Sequence, residues 1–137
     1  MKYLVLLCSV VVLMTSCSVD DPEVILIENA NLVDVIPPDK LVLGQTATFE
    51  VVYVTPTTCH TFERFNLVEE GQTISIRSET RFDGGRDCED TPGATATELF
   101  EYFIDSPEDY TFRFLAGAAE TGQLQFITFS QLPVETE

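Results

Sequence analysis

The sequence predicts an all-β domain, an antiparallel sandwich of seven or eight short strands. Three observations carry this reading. Apolar and polar residues alternate at period two through most of the chain, the spacing that puts every second side chain on one face of a strand. Turn-forming residues break the alternation at intervals, at Pro37-Pro38, Gly44, Pro56, Gly71, Pro92-Gly93, Pro107 and Gly122. No window of 11 or more residues carries the i, i+3, i+4 apolar stripe of a helix.

The elements follow in order. Val24 to Ile27 is a short apolar run, and Leu32 to Ile36 is a second, stopped by Pro37-Pro38. Leu41-Val42-Leu43 leads into Gly44. Thr46 to Val54 sets Phe49, Val51 and Tyr53 against Glu50, Val52 and Val54, and Pro56 ends it. Phe62 to Glu69 alternates loosely, with Phe65 and Leu67 as its apolar set, before a turn at Glu70-Gly71. Thr73 to Phe82 sets Ile74 and Ile76 against Ser75, Arg77 and Glu79. Residues 83–97 read as a loop, acidic and glycine-rich at first, then Pro92-Gly93 and a Thr/Ala stretch. Glu98 to Ile104 reads as a strand, although Leu99, Phe100 and Phe103 also fit one face of a helix. Beyond Ser106-Pro107, Tyr110, Phe112 and Phe114 share one face of a strand, with Thr111 and Arg113 on the other. Gly122 opens the last strand, where Leu124, Phe126, Thr128 and Ser130 oppose Gln125, Ile127, Phe129 and Gln131. Most of the aromatic residues are expected in the core. The stretches 99–104 and 126–129 are apolar on both faces, which points to a second covered surface, a partner site or a covered sheet edge.

The run from Asp105 to Phe114 resembles the turn and Tyr-led strand near the end of immunoglobulin-like domains. That resemblance implies an immunoglobulin-like sandwich with a tyrosine corner, the Tyr110 hydroxyl bonding back to the chain upstream. The chain departs from the antibody pattern in having no Trp, and no Cys stands two residues after Tyr110.

The N-terminus has a different character. Met1-Lys2 gives a short basic start, and the apolar stretch Tyr3 to Met14 is 12 residues long, against about 20 needed to span a bilayer. It fits the h-region of a cleaved signal peptide. Its end, Met14-Thr15-Ser16-Cys17, resembles the bacterial lipobox. The resemblance implies cleavage before Cys17, a diacylglycerol on its thiol and acylation of the new amine. The domain organisation is then a signal peptide at 1–16, a lipidated Cys17 with an acidic tether at 17–23, and a single β-domain at 24–137. One acyl chain binds a membrane only marginally, at about 0.8 kcal/mol per buried methylene, whereas two or three on one residue hold. Asp20-Asp21 resembles the acidic signal behind the lipidated Cys of surface-exported lipoproteins of Bacteroidota, and Ser18 speaks against inner-membrane retention. The implied address is the outer membrane, on its periplasmic or cell-surface face.

Composition narrows the partners. The net charge is −16, and loss of Lys2 with the leader makes it one unit more negative. Such acidity argues against nucleic acid, where Lys and Arg supply most of the affinity. Of four Cys, Cys8 leaves with the leader and Cys17 takes lipid. Cys59 and Cys88 remain, and in an exported protein an even pair reads as a disulfide. It is expected to pin the 83–97 loop to the loop after Val54. A metal site on Cys59, His60 and Cys88 has poor geometry, because adjacent ligands suit zinc badly and no C-x-x-C spacing accompanies them.

No chemistry follows from the remaining candidates. Asp83, Asp87, Glu89 and Asp90 with two glycines suggest calcium, but out of EF-hand register and with Arg86 competing. Glu69-Glu70 and Glu108-Asp109 are carboxylate pairs in turns rather than across a cleft. There is one His, no G-x-S-x-G elbow, no P-loop and no G-x-G-x-x-G. The expectation is no catalytic residue, metal ligand or cofactor. The favoured function is a lipid-anchored cell-envelope binding module with a protein or glycan partner. The runner-up is a protease-inhibitor-like sandwich acting through the braced loop 83–97, and calcium-dependent adhesion is third.

Overall fold

A computed structural model describes residues 23–85 and 87–136; Cys17, Asp20-Asp21 and Arg86 lie outside the described residues. The described chain is all β. Its strands are β1 (Ile25–Asn29), β2 (Leu32–Ile36), β3 (Leu41–Val42), β4 (Thr46–Val54), β5 (His60–Glu70), β6 (Thr73–Asp83), β7 (Thr95–Phe103), β8 (Tyr110–Ala118), β9 (Leu124–Leu132) and β10 (Val134–Glu135). Eight of these have five residues or more, and β3 and β10 are two-residue pairs. Glu98 to Ile104, ambiguous in sequence, falls almost wholly within β7.

Two sheets form. One has five strands, β5, β6, β1, β8 and β9; the other has three, in the order β2-β4-β7. The pairings are antiparallel except β6 with β8 and β3 with β10, which are parallel, so the expected wholly antiparallel sandwich is modified at two places. β6 organises the larger sheet. Along one edge it pairs with β5 over its full length. Its other edge is shared: β8 takes residues 73–76 and β1 takes residues 79–83.

The two sheets pack face to face. From the three-stranded sheet come Val35, Ala47, Phe49, Val51 and Phe100; from the five-stranded sheet come Ile74, Ile76, Tyr110, Phe112 and Phe114. Phe49 is the hub, fully buried and with ring centroids 4.6 Å from Phe112, 5.3 Å from Phe114, 6.0 Å from Phe100 and 6.2 Å from Phe129. Tilted ring pairs at such distances add to the area each ring removes from water. In β4, β6 and β8 the period-two sets read from sequence are the buried ones. The looser pattern of β5 has a cause: a bulge between Phe62 and Arg64 shifts the phase, so Phe62 and Phe65 both face inward.

The tyrosine corner is present. Tyr110 is 1% exposed, its hydroxyl donates to Asp105 Oδ1 at 2.8 Å, and Ser106 N–H donates to it at 3.2 Å. Burial first, and then the bond to Asp105, push its pKa up. The loop expected at 83–97 is shorter. Asp83 still belongs to β6 and Thr95 already belongs to β7, because strand pairing with β1, β4 and β5 claims both ends.

Candidate functional site

The residues singled out by sequence sort into three groups. Cys59 and Cys88 form the disulfide, with a Cα–Cα distance of 5.4 Å. Both thiols are thereby consumed and neither is available as a ligand or nucleophile. The bond joins the segment after β4 to the loop after β6, and backbone contacts reinforce it: Thr58 N–H donates to Glu89 O at 3.0 Å, and Thr91 N–H to Pro56 O at 2.9 Å. His60 is absorbed by the same turn. Its Nδ1 is 2.8 Å from Thr57 Oγ1, and its ring lies against Phe82 at 4.9 Å.

The acidic residues form the second group. Asp87, Glu89 and Asp90 are exposed along the loop, and Asp83 Oδ1 accepts from Gly85 N–H. Among the described residues no three His, Cys, Asp or Glu side chains gather as a metal-holding set. Glu69 accepts from the Tyr102 hydroxyl at 3.1 Å, and Glu108 N–H donates to Ser106 Oγ in an exposed turn.

The third group is the set of strands apolar on both faces, and it leads to a surface. The outer face of the five-stranded sheet holds the odd-numbered residues of β6 and their cross-strand partners. Asn66 opposes Arg77, Val68 opposes Ser75, and Arg64 opposes Glu79 on β5; Arg113 opposes Ser75 on β8; Ile27 opposes Arg81 on β1. Four of the five described basic residues, Arg64, Arg77, Arg81 and Arg113, therefore share one sheet face in a chain of net charge −16. Glu79 on this face is held by Arg64 at 2.9 Å, and Glu70 and Asp83 lie at its two ends. Arg77 is exposed, and no ion pair to it occurs among the described residues.

An apolar groove of about 220 Å³ runs through this face. Val68, Ile76, Leu115, Leu124 and Phe126 line it together with Asn66, Ser75 and Arg77. Its origin is the shared edge of β6. β8 leaves that edge after the Ile76–Phe114 pair, and bulges between Leu115 and Gly117, before β1 takes over at Glu79. The groove lies where β8 departs, and its walls come from β5, β6, β8 and β9. The Arg113 guanidinium lies 4.4 Å from the centroid of the Phe126 ring, a cation–π contact that fixes both side chains on this face. Val68 and Leu124 are more than half exposed, and Ile25 and Ile27 extend the apolar surface along β1. These exposed apolar residues lie on the same sheet face as the arginines.

The apolar residues of this surface were visible in sequence at Phe126. The gathering of the arginines was not, because it depends on which strands lie beside β6. The one readable hint was the spacing Arg77-x-Glu79-x-Arg81, which by period two shares a face. No protein-family model, no curated protein and no solved structure matches the chain, so its functional reading rests on its own residues.

Proposed function

We propose that the protein is a lipid-anchored, non-enzymatic binding module of the cell envelope, held at the outer membrane through Cys17. It engages its envelope partner, a protein or a glycan, through the outer face of the five-stranded sheet. The observation that carries this is an apolar groove lined by Arg77, with Arg113 against its wall Phe126, on the face that holds four of the five described basic residues of an acidic molecule. Such a face binds an amphipathic, anionic surface: apolar groups fill the groove and the arginines pair with carboxylates or phosphates. The fold reads as a variant of the immunoglobulin-like sandwich, supported by the tyrosine corner at Tyr110 and by the β2-β4-β7 sheet.

The location of the braced loop weighs against the inhibitor reading. Gly84 N–H donates to Val24 O at 2.9 Å, so the loop shares an end of the sandwich with the start of the described chain. An anchor upstream of Glu23 turns that end towards the membrane, away from an enzyme cleft.

Two measurements test the proposal. Cys17→Ala releases the protein from membranes and ends its labelling by a clickable fatty acid; persistent attachment refutes the anchor. A photo-crosslinking residue at Leu124 gives a covalent adduct in intact cells, Arg77→Glu diminishes it, and the same residue at Pro92 gives none. Equal adducts from both positions refute the assignment of the face.

A further inference from the structure

The opposite side of the sandwich carries the complement of the arginine face. On the three-stranded sheet, cross-strand register brings Ile36, Glu50 and Leu99 into one row, Thr48 and Glu101 into the next, and Thr46 and Phe103 into a third. Ile36, Leu99 and Phe103 are exposed at 47%, 57% and 57%. Glu50 and Glu101 are exposed between them, with Asp34 beside Val52. β2, β4 and β7 contain no Lys or Arg. One molecule therefore presents an apolar, cationic face on one side and an apolar, anionic face on the other.

We propose that the occupant of the arginine face is a second copy of this chain, docked by the outer face of its three-stranded sheet. This rests on the reading of the arginine face as the binding surface and names its partner. Leu99 and Phe103 flank Glu101 on one strand and meet the groove walls Val68, Leu124 and Phe126. Glu50 and Glu101 meet Arg77 and Arg113. The contact joins two different surfaces, so it is heterologous: each copy that docks leaves its own arginine face open, and the assembly grows as a row instead of closing as a dimer. With the anchor at one end of the strands, both outer faces stand sideways to the membrane, and a row runs along the surface. Anchoring in a plane raises the effective concentration of each copy for the next. The net negative charge opposes crowding, but its repulsion is screened beyond roughly 8 Å at physiological salt, while the pairs in contact are screened less.

The test uses the full chain in membranes of a producing cell, with a photo-crosslinker at Leu124 on the arginine face. Wild type gives a ladder of dimers, trimers and longer species. Arg77→Glu/Arg113→Glu spoils one face and Glu50→Arg/Glu101→Arg the other, and each variant alone gives monomers. Coexpressed, the two variants again give a ladder, of alternating copies, since both faces of one are complementary in charge to both faces of the other. All four substitutions in one chain restore the ladder. Thermal melts of each variant, and Arg77→Glu alone as a milder change, separate loss of docking from loss of fold. A ladder indifferent to the substitutions, or coexpressed variants that stay monomeric, overturns the proposal. If wild type is monomeric while Leu124 still captures another envelope component, self-docking falls and the binding-surface reading stands. If Leu124 captures nothing, both fall.

Discussion

Removing the disulfide separates what holds the folded chain from what constrains the unfolded one. The Cys59–Cys88 bond joins residues 29 apart in sequence. In the chain-entropy account, opening a loop of that size costs about 3.5 kcal/mol at 25 °C. The folded flanks are zipped without it. Thr55 N–H bonds Ala94 O at 2.9 Å, Thr58 N–H bonds Glu89 O, Thr91 N–H bonds Pro56 O, and Thr57 and Asp90 form a β-bridge. The Thr91 hydroxyl adds a bond to Thr55 O. Cys59→Ala/Cys88→Ala should therefore fold to the same structure and lose stability through its unfolded state. Taking about 2.1 cal/mol/K of unfolding entropy per residue over roughly 115 residues, a loss of about 3.5 kcal/mol lowers Tm by about 15 °C. Calorimetric melts of the two proteins read this directly, with circular dichroism at 25 °C as the check on fold. A drop below about 5 °C would refute the reasoning, since it would mean that the flanks stay together in the unfolded chain. Loss of the folded spectrum would refute it from the other side, by showing that the bond holds the native structure itself.

Three further outcomes follow from single sites. Phe49→Ala removes the ring at the centre of four aromatic contacts, and should cost about 3–5 kcal/mol in denaturant unfolding. Ser78→Ala should be neutral or stabilise by about 1 kcal/mol, because the Ser78 hydroxyl is buried with no hydrogen-bond partner among the described residues; a clear loss would reveal a partner. Tyr53, Tyr102 and Tyr110 all have pKa values raised above 10.0, each chiefly by burial, then by Glu98, Glu69 and Asp105 respectively. The folded chain thus keeps protons that the unfolded chain gives up. Stability should be flat below about pH 10 and fall as pH rises beyond it, a trend that denaturant midpoints from about pH 8 to about pH 11 will show or exclude.

The strands were legible because burial on one face writes itself into parity. Phe49, Val51 and Tyr53, or Tyr110, Phe112 and Phe114, need no partner strand to be recognised as a face. The disulfide was legible by elimination once Cys8 and Cys17 were assigned. Pairing was not. The parallel contact of β6 with β8, and the sharing of one β6 edge by β1 and β8, depend on residues far apart in sequence. The candidate site depends on the first, since the groove lies where β8 departs from β6, walled by β5 and β9. Its apolar wall was half visible in Phe126, while Leu115 reads as an ordinary core residue and is nearly buried. The bulge in β5 hid the phase of Phe62 and Phe65 for a related reason, because one extra residue erases the period that a reader relies on.

Net charge misleads in the same way. A composition of −16 suggests a uniformly acidic surface, yet the fold sorts its four described arginines onto one face and leaves the three-stranded sheet without Lys or Arg. Parity couples this sorting to the core. In β6 the even residues Ile74, Ile76, Ser78 and Thr80 are buried, and the odd residues include Arg77 and Arg81. A slip of β6 by one residue would turn both guanidinium groups inward, Arg77 towards the buried cluster of Ile76, Phe100 and Phe114, which holds no carboxylate to receive it. Burying an unpaired charge costs several kcal/mol per ion, comparable with the whole stability of a domain this size. The same arginines that are proposed to hold a partner thus forbid the wrong register, and charge reversal to Glu preserves that register while removing the positive charge. For this reason the face variants can test docking without dismantling the sheet that presents it.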